Sequence, residues 1–129
     1  MWIFNRASEK LNETERLFKS LKVDYEKQAD GTYFVPGDLT LANRDLAKLP
    51  DLSNVVVGGN FDCSNNLLTS LRGSPKEVRG DFRCDHNILL NFEGVTQAIG
   101  GRFDYGYNHL LSQDAEKRAP KAGQQGLRP

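Results

Sequence analysis

The sequence predicts an α+β solenoid: a short stack of coils with a parallel sheet on one face, closed at its N-terminal end by a helix and a β-hairpin. Two observations carry that expectation. First, Phe61-Asp-Cys63-Ser-Asn-Asn66-Leu-Leu68, Phe82-Arg-Cys84-Asp-His-Asn87-Ile-Leu89 and Phe103-Asp-Tyr105-Gly-Tyr-Asn108-His-Leu110 superimpose when slid by 21 residues. Their common spacing, apolar-x-apolar-x-x-Asn-x-Leu, is that of a leucine-rich-repeat stack, here of about 3.5 to 4 coils. Second, glycines precede each strand, at Gly37, Gly58-Gly59, Gly80 and Gly100-Gly101. A sharp corner in every coil accounts for them, since glycine tolerates positive φ at little cost.

Residues 1–37 read as the cap. Asn12 with Glu15 three residues on forms an N-cap pair, and Leu11, Leu17, Phe18 and Leu21 gather apolar area on one side of a helix reaching about Lys22. Val23-Asp-Tyr25 and Thr32-Tyr-Phe-Val35 flank Asp30-Gly31 as two short strands about a turn, and Pro36-Gly37 ends the unit.

Residues 38–111 read as the solenoid. Coil one carries Leu39, Leu41, Leu46, Leu49 and Leu52 and reaches Phe61 after 22 residues. Coils two and three close their inner stripe with Leu71 and Phe92, whereas coil four puts Gln113 in that slot and the stack stops. Residues 112–129 are polar and read as a C-terminal cap or flexible tail. In register, Asn66, Asn87 and Asn108 form a ladder whose buried amides satisfy the backbone of the bend. Coil one has Arg44 there, so the ladder begins at Asn66. Cys63 and Cys84 share an inward slot; strand spacing of about 4.8 Å permits a bridge, but reduced buried thiols fit an intracellular chain better.

Lysine plus arginine and aspartate plus glutamate number 17 each, so no global field draws the chain to nucleic acid or an anionic membrane. Direct nucleic-acid binding and membrane insertion are not expected, and the chain reads as cytoplasmic. No phosphate loop, zinc-finger spacing or nucleophile elbow occurs. Cys63, Cys84, His86 and His109 are zinc-ligand types, but cysteines facing the core and histidines beyond the strand diverge. The same divergence argues against a Cys/His nucleophile pair. The reading therefore assigns no catalytic residue, metal or cofactor.

The stretch Gly59-Asn-Phe-Asp-Cys-Ser-Asn-Asn-Leu-Leu-Thr-Ser-Leu-Arg-Gly-Ser-Pro-Lys-Glu-Val-Arg-Gly80 resembles the leucine-rich-repeat-like proteins of bacteriophage and prophage genomes, as does the lead-in Gly37-Asp-Leu-Thr-Leu41. The resemblance covers about residues 15 to 111. It implies a phage accessory protein in the host cytoplasm that docks on a host macromolecular complex, for example as an anti-CRISPR inhibitor. A structural role in a virion or larger complex is the alternative, and an enzyme the remote one.

Two surfaces are candidates for that docking. The outward strand positions form an acidic sheet face, Asp38, Asp62, Asp81, Arg83, Asp85, Arg102 and Asp104, suited either to lateral pairing or to a basic partner. Beside it, Leu67, Ile88, Leu90 and Leu111, with His86, Tyr107 and His109, make an apolar edge. Either it is the centre of an interface, or it packs beneath the C-terminal segment as beneath a lid. Coil four leaves a strand edge that the segment from Ser112 or a second copy of the chain would cover, giving a homodimer through the C-terminal coil in the latter case.

Overall fold

The computed structural model describes residues 10–111, 119–120 and 127–128. The protein is a small α+β fold, with two sheets dominated by parallel pairing and, among the described residues, one helix. Helix α1 (Glu13–Leu21) begins with the reciprocal cap that the sequence implies. The Asn12 side chain accepts from the Glu15 amide at 2.8 Å, and the Glu15 side chain accepts from the Asn12 amide at 3.2 Å. Lys22, left-handed at φ 58°, ends the helix. Its buried Phe18 packs against Tyr25 and Tyr33, with ring centroids 5.0 and 5.9 Å away. Asn12 Nδ2 also donates to the Tyr33 hydroxyl at 2.7 Å, fastening the helix start to the hairpin.

The hairpin consists of β1 (Glu26–Lys27) and β2 (Tyr33–Val35), paired antiparallel. Asp30 Oδ1 accepts from both the amide and the hydroxyl of Thr32, and Gly31 supplies φ 90°. Val23–Tyr25, expected in the first strand, is the lead-in to it.

Beyond the hairpin the chain visits two sheets in turn. In one, β2, β4 (Val55–Val57) and β6 (Glu77–Val78) run parallel, and a bridge from Val78 to Ile99 continues the row. In the other, β3 (Leu39–Thr40), β5 (Phe61–Asp62), β7 (Phe82–Arg83), β8 (Phe103–Asp104) and β9 (Leu127–Arg128) run parallel, pairing Leu39 to Phe61 to Phe82 to Phe103 to Leu127. The expectation of one parallel sheet is thus corrected to two. Strands of two or three residues are too short for an alternating pattern to announce them.

Between the sheets, Phe61, Phe82 and Phe103 stack edge to face at 5.1 and 5.5 Å, and Phe92 meets Phe103 at 5.2 Å. Leu39, Leu52, Leu68, Leu71 and Leu89 fill the core around this spine. Cys63 and Cys84 are fully buried free thiols, and burial pushes both well above the usual thiol range, so they pack as small protonated hydrophobes.

The corner glycines have a different cause from the one their recurrence suggests. Positive φ among the described glycines falls at Gly31, Gly73 and Gly94, not at the corners. A Cβ on Gly59, Gly80 or Gly101 would lie 2.3, 2.3 or 2.2 Å from Asp38 Oδ1, Asn60 Oδ1 or Asp81 Oδ1, respectively. Each of those oxygens accepts an amide proton, from Asn60, Asp81 and Arg102 in that order, at 2.8 Å. The glycines are therefore needed for close approach rather than for backbone freedom.

Residues 112–118, where the sequence places a polar cap or lid and Gln113, lie outside the described residues, as do residues 1–9. Ala119 is buried in the core. The β8 edge from which the sequence argues for a second copy is taken by β9.

Candidate functional site

After each outward-facing strand the chain bends, and the bend builds two adjacent columns with opposite demands. In the inner column, Asn66 Oδ1 accepts from the amides of Arg44 and Leu46 at 2.9 and 3.0 Å, while its Nδ2 donates to the carbonyls of Leu41, Cys63 and Ser64. Asn87 accepts from the Leu68 amide and donates to the carbonyls of Cys63 and Cys84; Asn108 accepts from Leu89 and donates to Cys84, Tyr105 and Gly106. This is the expected ladder, beginning at Asn66.

One residue earlier is the outer column, Asn43, Asn65, His86 and Tyr107, all left-handed with φ between 56° and 60°. Asparagine adopts that region readily, whereas a bulky tyrosine does so at a cost of about 1 kcal/mol. Even so, His86 and Tyr107 stand there with their rings stacked, centroids 4.5 Å apart and planes at 19°. The next outward positions are Leu67, Ile88 and His109, and after them Thr69, Leu90 and Leu111. Leu67, Leu90, Tyr107 and Leu111 are exposed at 50%, 38%, 78% and 75%, and they are the large apolar side chains exposed among the described residues. Ile88 is half-buried, and His86 and His109 are exposed. The seven residues of the predicted apolar edge thus share one edge, and Asn65, which the 21-residue register places in the column of His86 and Tyr107, joins them.

The predicted acidic face divides. Asp38 and Asp81 each give one carboxylate oxygen to a backbone amide of the neighbouring segment at the corner, Asp38 remaining exposed and Asp81 half-buried. Arg102 meets Asp81 through its backbone amide, not through the side-chain pair that the sequence suggests. Asp62 Oδ1 accepts from the amide and hydroxyl of Ser64 at 2.9 and 2.6 Å. Arg83 lies 3.6 Å from Asp62 across the strands, but its main partner is Asp85, two residues along its own chain, held by Nε and Nη2 at 3.1 Å each. Asp104 pairs in register with Arg83.

Asp85 joins the face to the edge. Only 8% exposed, it lies 2.8 Å from His86 Nδ1 through Oδ2. Burial raises its pKa, but hydrogen bonds from His86 and Arg83 outweigh that and hold its carboxyl below the usual carboxylate range. The result is a continuous run from Arg83 through Asp85 and His86 to Tyr107. Among the described residues no cluster of three His, Cys, Asp or Glu side chains is placed to hold a metal ion. A groove of about 550 Å³ against the hairpin, lined by Gln28, Asp30, Phe34 and Arg79 among others, shares no residue with this surface. No helix among the described residues is long and apolar enough to cross a membrane. No family model, curated protein or solved structure matches the chain.

Proposed function

We propose that the chain is a short leucine-rich-repeat solenoid that works as a non-catalytic protein-binding module, docking through the edge formed by His86, Tyr107, Leu67, Ile88, His109, Leu90 and Leu111. One observation carries this reading: the exposed large apolar side chains among the described residues collect on that single edge, as at the centre of an interface. The acidic face is the weaker docking surface, because Asp38 and Asp81 serve the backbone and Asp85 is buried between Arg83 and His86. The resemblance to phage and prophage repeat proteins makes a host protein the partner class, with inhibition of a host defence system as the role carried forward.

The test is affinity capture from host lysate with the wild-type chain and with Leu67→Asp/Leu90→Asp, both positions being exposed so that the fold survives. A partner retained by the wild type and lost by the folded double variant is expected. Equal retention by both would remove the edge as the docking surface.

A further inference from the structure

The chemistry of the edge narrows what its partner must present. His86 and Tyr107 form a stacked pair at a backbone position where the two earlier segments carry asparagine. The pair is pre-organised: Asp85 faces His86 Nδ1 at 2.8 Å, which favours the proton on that nitrogen, and the Arg83 fork fixes Asp85 in turn. Tyr107 nonetheless remains 78% exposed. A fixed, exposed aromatic ring in unfavourable backbone geometry is the kind of feature found where strain serves recognition.

Charge selects the ligand. Residues 60–69, 81–90 and 102–111 contain four aspartates, two arginines and no lysine. That balance is unsuited to a phosphate backbone and suited to a cation. Aromatic rings attract cations, and the planar, weakly hydrated guanidinium stacks on a ring where the compact, strongly hydrated ammonium does not. Leu90 and Leu111, exposed on the same edge, offer apolar ground for an aliphatic stem.

We infer that the His86–Tyr107 stack is an arginine-reading platform: a guanidinium of the protein partner lies on the Tyr107 ring, and its methylene stem lies toward Leu90 and Leu111. This deepens the docking reading and rests on it.

The full chain titrated with the tripeptides Gly-Arg-Gly and Gly-Lys-Gly and with AMP, followed by NMR of the Tyr107 and His86 rings, tests the inference. Gly-Arg-Gly should shift both rings saturably and bind about threefold or more tighter than Gly-Lys-Gly. Tyr107→Asn, which restores the residue type of the earlier segments and so keeps the fold, should weaken it by about fivefold or more. Equal binding of the two peptides, tighter binding of AMP at Tyr107, or no shift with Gly-Arg-Gly each overturns the inference. If a protein partner is still lost on Leu67→Asp/Leu90→Asp in that event, the docking reading stands and only the arginine specificity falls.

Discussion

Asn66, Asn87 and Asn108 stand next to Asn65, His86 and Tyr107 in the same three bends, yet the first column never changes and the second changes at nearly every step. The inner residue has little freedom: one amide must accept from a neighbouring segment and donate to two or three carbonyls, and at Asn66 and Asn87 it does so while buried. The outer residue needs a left-handed backbone and its side chain meets solvent, with His86 held further by Asp85 and by the Tyr107 ring. Where the fold asks for so little, asparagine would be the undemanding choice, and the later two segments depart from it. Variation in a column outside the core is therefore a better pointer to recognition than constancy in the column beside it.

The sharpest way to break this contrast is to truncate one member of each column. Asn87→Ala leaves the buried Leu68 amide without its acceptor and removes one of the two side-chain donors to each of the Cys63 and Cys84 carbonyls, and should cost about 2 kcal/mol in urea unfolding. His86→Asn, one residue away, should change stability far less. Comparable losses at the two positions would dissolve the distinction.

A smaller effect should appear at Asp85, where the columns meet. Its folded pKa lies below the ordinary carboxylate value of about 3.9. The stabilisation from its charged hydrogen bonds is accordingly present above that value and lost as pH falls through the lower folded one. Wild type should exceed Asp85→Asn by about 1.5 kcal/mol at pH 7, and the gap should close below about pH 4. A gap independent of pH would mean that the carboxylate charge is not what holds Arg83 and His86.

The smallest effect is expected at Tyr107. Tyr107→Asn relieves about 1 kcal/mol of backbone strain and forfeits about 0.5 kcal/mol of stacking on His86, so thermal unfolding should show a slight gain. A clear loss would make the ring a structural element instead of a recognition one.

Much of this molecule can be read before any coordinates are seen. The 21-residue register, the Phe61, Phe82 and Phe103 spine, the asparagine ladder and the cap on α1 depend on spacing within the chain, and spacing is written in the sequence. The apolar edge is legible for the same reason, as departures from a repeated pattern. What the tertiary structure alone decides is which groups of neighbouring segments face one another. It makes Asp38 and Asp81 acceptors of backbone amides across the corner, gives Gly59, Gly80 and Gly101 the task of admitting a side-chain oxygen, and turns Arg83 chiefly toward Asp85. It also assembles the second sheet from Val55–Val57 and Glu77–Val78. A residue type fixes what a side chain can donate or accept; which partner arrives within 3 Å is settled only when separate stretches of backbone are brought side by side.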